Sequence, residues 1–328
     1  MQGALYELLE AIYEQDFLDC SHGFRRGRKA HDALRALDRA VMAGAAHVIL
    51  EFDIVSFFDS LVRPRLKEML QTRIDDRSLM RLIGKCLHVG ILDGARFEEP
   101  EEGTVQGSAL SPLLGNIYLH HVLDLWFENE MKPQMRGKVT FVRYADDGVF
   151  GFERQDDAQR VIEALEQRLA SFGLRLHPDK TRLLDFRRPP RSQTGGKGPG
   201  TFDFLGFTMY WNRSRKGNWV MMCKTRRARL RRAKESVYDW CRRHRHLPVS
   251  EQHTALMRKL RGHVAYFGVQ GNSRCLNELV EAAKTAWHKW LNRRSQRSQL
   301  TWKRFGELLD DFPLQLLTPA VSLWGNAR

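Results

Sequence analysis

Residues 139–144 and 148–152 are two short apolar segments with only Ala145-Asp146-Asp147 between them, and no other stretch constrains the fold as much. Their β-branched and aromatic residues predict two strands joined by a tight turn. Two adjacent carboxylates then sit in that turn. Aspartate is common in turns because it hydrogen-bonds its own backbone and tolerates unusual φ, so the pair alone is ordinary turn punctuation. A second apolar segment upstream, His47-Val48-Ile49-Leu50-Glu51-Phe52-Asp53-Ile54, predicts a buried strand that ends at a third carboxylate, Asp53. Three carboxylates brought together repel one another and raise each other's pKa unless cations bind. Two Mg²⁺ ions roughly 3.5–4 Å apart would resolve that repulsion and clamp a phosphate between attacking and leaving oxygens. Mg²⁺ prefers carboxylate oxygen and shares its shell with substrate phosphates. The pattern therefore points to nucleotidyl transfer.

Around these segments the periodicity predicts helices over residues 4–17, 30–43, 62–72, 76–87 and 155–171. Ser111-Pro112 predicts the start of a long helix running to about residue 130, since proline is favoured in a first helical turn. Residues 90–105 predict an acidic hairpin or loop, and residues 181–186 a further strand. The breaker-rich run Pro189-Pro190-Arg191-Ser192-Gln193-Thr194-Gly195-Gly196-Lys197-Gly198-Pro199-Gly200 reads as a linker. Residues 202–210 and 219–222 predict a β-hairpin. Helices over 225–245, 250–267, 274–293 and 301–311 complete the chain.

The linker coincides with a step in charge. Residues 1–200 carry 28 Lys+Arg against 30 Asp+Glu, whereas residues 201–328 carry 25 against 9. A near-neutral body is thus joined to a strongly basic module, and the commonest partner of such a module is nucleic acid. A solvated basic surface and affinity for anionic lipid are the other readings. With 42% hydrophobic and 28% charged residues, the 328-residue chain is neither fibrous nor wholly disordered. It has no apolar run of roughly 18–20 residues to span a bilayer, and its first residues do not form a signal peptide. Five scattered cysteines without a CxxC pair argue against structural zinc and disulfides, and suit a reducing cytosol. The expectation is a soluble, cytoplasmic protein without a membrane partner.

Seven blocks, in order, resemble the reverse transcriptase/maturase proteins of bacterial group II introns. They are Gly23-Phe24-Arg25-Arg26-Gly27-Arg28-Lys29-Ala30-His31-Asp32-Ala33; residues 52–59 around Asp53; residues 105–119; Phe141-Val142-Arg143-Tyr144-Ala145-Asp146-Asp147; residues 173–181; Phe202-Asp203-Phe204-Leu205-Gly206-Phe207; and residues 260–267 with Arg293-Arg294-Ser295-Gln296. The resemblance implies an α+β fold. Residues 1–200 would form partial fingers and a right-hand polymerase palm, and residues 201–328 a primer-grip hairpin and a helical thumb/maturase domain.

By the same resemblance, Asp53, Asp146 and Asp147 are the metal-binding triad, assisted by the Ile54 carbonyl. They would hold two Mg²⁺ ions while a DNA primer 3′-hydroxyl attacks the α-phosphate of a dNTP on an RNA template. Lys180 would lie near the leaving pyrophosphate, though a solvated loop lysine fits it equally. Phe58 would exclude a 2′-hydroxyl, or else be core beside Phe57, strand alternation sending one ring to each face. Gln106 and Gly107 would touch the new base pair, and Phe204, Leu205 and Gly206 would grip the primer. Arg25 and Arg28 in the first block, and Arg227, Arg231 and Lys234 on one helical face, would hold nucleic acid, including the intron RNA. Trp219, Trp240, Trp287 and Trp290 are expected to be mostly core.

The resemblance begins at the family's second block, so its first finger blocks are expected to be absent, as is a C-terminal Cys/His endonuclease. Val105 and Arg26 replace usual prolines. The implied activity is RNA-directed DNA synthesis for intron mobility. The alternatives are a non-catalytic maturase that binds intron RNA for splicing, or an inactive remnant.

Overall fold

The computed structural model describes residues 2–87, 91–93, 96–98, 110–190, 200–295, 299–315 and 321–323. The chain divides into two compact units, Met1–Leu205 and Gly206–Arg328. No helix among the described residues is long and apolar enough to cross a membrane.

The first unit opens with helices α1 (Gln2–Tyr13) and α2 (Ala30–Met42), then strand β1 (Val48–Phe52). Helices α3 (Arg63–Gln71) and α4 (Arg77–Leu87) follow, then a small antiparallel pair, β2 (Ile91–Asp93) and β3 (Arg96–Glu98). Next come α5 (Ser111–Leu119), β4 (Val139–Tyr144), β5 (Asp147–Phe152), α6 (Gln155–Ser171), β6 (Arg182–Asp185) and β7 (Phe202–Phe204). The main sheet has the order β4-β5-β1-β6, with every neighbouring pair antiparallel. β1 is interior and buried along its whole length, which is why its sequence is continuously apolar apart from Glu51. Helix α6 packs on β1 and β5, contributing the buried Ala158, Val161, Leu165 and Leu169 to the core.

The expected single helix from Ser111 to about residue 130 is corrected by the structure. α5 is regular only to Leu119, after which His120–Asp124 and Phe127–Met131 are π-helical. The wider turns show in the bonds from Leu125 N to His120 O and from Lys132 N to Phe127 O. Such widening often marks functional sites, and here it lies in the stretch that supplies Asp124 to the interior.

The second unit pairs β8 (Phe207–Arg213) with β9 (Trp219–Thr225), then runs through α7 (Arg227–Arg243), α8 (Val249–Phe267), α9 (Ser273–Leu291) and α10 (Trp302–Asp311). Leu256, Leu260, Leu279, Val280, Ala283, Trp287 and Phe305 form its core. Of the four tryptophans expected to be mostly core, only Trp287 is fully buried, its indole N–H donating to Gln252 Oε1 at 2.9 Å. Trp219, Trp240 and Trp290 are half-buried: Trp240 and Trp290 pack against that core, Trp240 also stacking on His244, and Trp219 lies under the Arg213 guanidinium. An amphipathic indole gains burial for its body without needing to enter the core.

Candidate active site

Asp53 is the first residue beyond β1. Past it the chain makes an isolated antiparallel bridge, Ile54 with Leu176. Val55 N donates to Arg175 O at 2.9 Å and His177 N to Asp53 O at 2.8 Å. That short pairing carries residues 175–180 alongside the strand end. A turn then closes, with Lys180 N and Thr181 N both donating to His177 O. Lys180 Nζ meets Asp53 Oδ2 across a sequence separation of 127 residues. Two residues before Asp53, buried Glu51 accepts from Arg182 Nε and from the backbone N–H of Asp203. Burial raises the Glu51 pKa, while those two donors pull it down.

Asp146 lies in the turn between β4 and β5. Burial raises its pKa above the usual carboxylate range; the Asp53 charge raises it further, and the Lys180 ammonium lowers it. The charges of Asp53 and Lys180 thus both reach Asp146. Asp147 is exposed as the first residue of β5, its backbone paired with Tyr144.

The turn is held from beneath by Arg143, which is fully buried. Its Nε and Nη2 donate to the two Asp124 carboxylate oxygens at 2.8 and 2.5 Å. Nη2 also donates to Ser21 Oγ at 2.9 Å. Nη1 donates to Asn116 Oδ1 at 3.0 Å and to the Ala145 carbonyl at 2.9 Å. All five guanidinium N–H groups are therefore used, which is what a buried charge requires. The backbone of Arg143 is clasped as well: its N–H donates to Cys20 O at 2.7 Å, and its carbonyl accepts from His22 N at 2.8 Å. Asn116 Nδ2 in turn donates to Gly23 O at 2.6 Å. A side chain on Gly23 would put its Cβ 2.4 Å from the Ala145 nitrogen, so only glycine lets this segment lie against the turn. Ala145 has φ +56, a left-handed conformation that the fork on its carbonyl helps to hold. Opposite Arg143 and Phe52, Gly148 leaves room for the Phe52 ring, which a Cβ there would approach to 2.2 Å.

The other expected site residues fall as follows. Ile54 is buried. Phe57 and Phe58 sit in a turn past the strand, which corrects the strand alternation expected for them. Phe57 is nonetheless core and Phe58 half-buried, with ring centroids 5.1 Å apart. A Cβ at Gly115 would lie 3.0 Å from each ring. Gln106, Gly107 and Val105 lie outside the described residues, as does most of the linker. Arg25 is corrected: it is buried inside the fold, paired with Glu14 at 2.6 Å and donating to Leu18 O and Ser21 O. Its guanidinium closes this loop, giving the Ser21 carbonyl a partner and the Leu18 carbonyl a second one besides the Ser21 N–H. Arg28 pairs with Asp19 at 2.6 Å. Phe204 is buried, and Leu205 and Gly206 follow it with φ +52 and +78. On α7, Arg227 is exposed, Arg231 is 3.7 Å from Glu235, and Lys234 is 3.1 Å from Glu278.

Sequence reasoning missed Arg143, Asp124, Asn116, Ser21 and Gly23. Two signals were available: Arg143 interrupts the apolar strand Phe141-Val142, and Asp124 interrupts the apolar run Val122-Leu123…Leu125-Trp126. A charge inside an apolar run calls for a partner of opposite sign.

The donor chemistry suits a hard cation, because Asp53 and Asp146 offer carboxylate oxygens and the Asp53 charge already reaches Asp146. Among the described residues no cluster of three or more His, Cys, Asp or Glu groups is arranged to hold a metal ion.

The profile of the family described as reverse transcriptase (RNA-dependent DNA polymerase) matches residues 1–209. The group II intron-encoded protein LtrA of Lactococcus lactis subsp. cremoris is 33% identical over 178 residues, covering 51% of this chain and 29% of that protein. An uncharacterised 91 kDa protein in the cob intron of Schizosaccharomyces pombe is 43% identical over 129 residues, 39% of this chain and 16% of that one. Protein YkfC of Escherichia coli K12 is 31% identical over 253 residues, 66% and 62% of the two chains. The chain thus spans less than two thirds of the length of each of these relatives. Apo telomerase from Candida tropicalis shares the fold, with a TM-score of 0.53 at 12% identity over 94% of this chain and 50% of that one. The chain belongs to the reverse transcriptase family. Its α+β fold is that of a polymerase palm followed by a helical domain.

Proposed function

We propose that this chain is an RNA-directed DNA polymerase whose reaction centre is formed by Asp53, Asp146 and Lys180. The meeting of these three groups at the ends of neighbouring strands carries the reading. In the reaction, the primer 3′-oxygen bonds to the α-phosphorus of a dNTP, the α–β phosphoanhydride bond breaks, and pyrophosphate leaves. Asp53 and Asp146 would hold Mg²⁺, with Asp147 as the third acidic side chain at the turn. Bound Mg²⁺ supplies activation of the 3′-hydroxyl and neutralisation of charge on the phosphates. Lys180 sits where an ammonium can bind the departing pyrophosphate or give it a proton. The Arg143 fork fixes the Ala145 carbonyl, and through it the direction of Asp146.

The unit of residues 206–328 carries 25 Lys+Arg against 8 Asp+Glu, which supports nucleic-acid binding, with intron RNA as its proposed target. That charge also favours the second reading, a maturase that binds RNA without polymerising. Primer extension on an RNA template with Mg²⁺ and dNTPs separates the two. Wild type is expected to make DNA. Asp146→Asn is expected to make about a hundredfold less while binding the same RNA equally well. A wild type that makes no DNA, or an Asp146→Asn variant that matches it, overturns the polymerase reading; RNA binding alone then leaves the maturase.

A further inference from the structure

Four non-glycine residues among those described have positive φ: Phe24, Ser56, Ala145 and Leu205. Ala145 precedes Asp146 in the turn, Ser56 follows Asp53 by three residues, and Leu205 lies in the expected primer-grip turn. Phe24 is the one without an assigned role. Its φ of +52 is unfavourable for a bulky side chain. The residue is nevertheless 47% exposed, one of three large hydrophobic residues so exposed among those described. The conformation therefore gains Phe24 little burial, and it is imposed from both sides. Gly23 is pinned against Ala145 and bonded to Asn116, and Arg25 is locked into the interior by Glu14, Leu18 O and Ser21 O. The ring that is left lies 6.4 Å from the Tyr144 ring, tilted by 44°. Tyr144 is the second residue before Asp146.

We infer that Phe24 is a stacking platform for a nucleobase of the nucleic acid engaged at the Asp53–Asp146 site. This rests on the polymerase reading above and adds a contact to it. A flat apolar ring, held rigidly out of the fold beside a site for polyanions, matches the π-face of any base, so the contact tolerates sequence. Rigid flanks suit the task, because a preorganised ring loses little freedom when a base settles on it. Neighbouring nucleotides along a strand rise by about 3.4 Å, so a base on Phe24 is within a few nucleotides of one reacting at Asp146. The stacked base belongs either to the template or to the primer end. Both present the same chemistry.

The test uses the full chain with a primer–template carrying 2-aminopurine, in Ca²⁺ so that binding proceeds without extension. One arm places the probe at the first unpaired template base, the other at the primer 3′-terminal base. Phe24→Trp is expected to keep the quenching and affinity of wild type. Phe24→Leu keeps apolar bulk without an aromatic face, and is expected to lose quenching in one arm and bind about tenfold more weakly. Phe24→Gly should lose the same signal while melting no lower than wild type, since glycine adopts this backbone freely. The arm in which quenching is lost identifies the strand. If Phe24→Leu and Phe24→Gly bind and quench as wild type does, the inference falls while the polymerase reading stands. If Phe24→Leu is unaffected and only Phe24→Gly is impaired, the surface is an apolar protein contact and the inference falls too. A wild type that binds no primer–template overturns both.

Discussion

The two units bury polar groups in different ways. In the first, the charged pair Arg143–Asp124 is fully enclosed, with Asn116, Ser21 and the Ala145 carbonyl taking the remaining guanidinium donors. In the second, the buried polar links are neutral amides. Gln252 donates to Arg245 O and Leu247 O and accepts from Trp287, and Asn272 ties Thr225 to the Phe267 carbonyl. Its cations stay at the surface in pairs such as Lys234–Glu278. A buried charge has no alternative partner, so it holds one geometry. A solvated cation adapts to whatever phosphate comes near. The palm directs one carboxylate, whereas the helical unit presents a surface, and the burial of charge follows that division.

The largest expected effect attacks the rigid side of this contrast. Asp124→Ala strands the Arg143 charge and should cost about 3–5 kcal/mol in a urea unfolding experiment. The double replacement Arg143→Met with Asp124→Leu should recover much of that stability, because no charge is left unpaired. It should not recover primer extension, since nothing then holds the Ala145 carbonyl. Equal recovery of both would mean that the fork only stabilises the fold.

A smaller effect comes from pH. His120 is buried on the π-helical segment, its Nδ1 without a hydrogen-bond partner and 4.0 Å from Asp124 Oδ2. Burial pushes its pKa down to about 4, and the pKa of His22 beside the turn is likewise pushed down to about 4. A folded state that prefers neutral imidazole keeps its full stability above about 6.5, the value of the unfolded group, and loses it as pH falls from there toward 4. Denaturation midpoints at pH 7 and pH 4.5 should therefore differ for wild type and converge in the pair His22→Gln, His120→Gln.

The smallest effect belongs to the helical unit. Glu278→Gln releases Lys234 from an exposed pair and should change stability by less than about 1 kcal/mol. Arg227→Ala should lower RNA affinity modestly for all sequences and reduce the salt slope by about one. A stability loss as large as that of Asp124→Ala would erase the contrast between the units.

The local pattern carried much of the palm. Apolar runs with β-branched residues predicted β1, β4 and β5 within a residue or two, and the 3.6-residue stripe of Ala158, Val161, Leu165 and Leu169 predicted α6 over its full length. The order of seven short blocks carried the family. These signals are legible because each rests on residues close together in the chain. The site's support is not of that kind. Arg25 read as a nucleic-acid contact and is interior, because Glu14 and two carbonyls meet it there. The helix after Ser111 read as one regular element, yet His120–Asp124, which carries Asp124 to Arg143, and Phe127–Met131 are both π-helical.

What the sequence determined by itself is where strands, helices and carboxylates lie along the chain, since backbone periodicity and turn chemistry act over a few residues. Only the tertiary structure decided that Lys180 reaches Asp53 and that Asp124 neutralises Arg143. Such pairings depend on how the folded chain crosses itself, and the strength of a charge–charge contact is set by separation in space and by exclusion of water, neither of which is written in residue order.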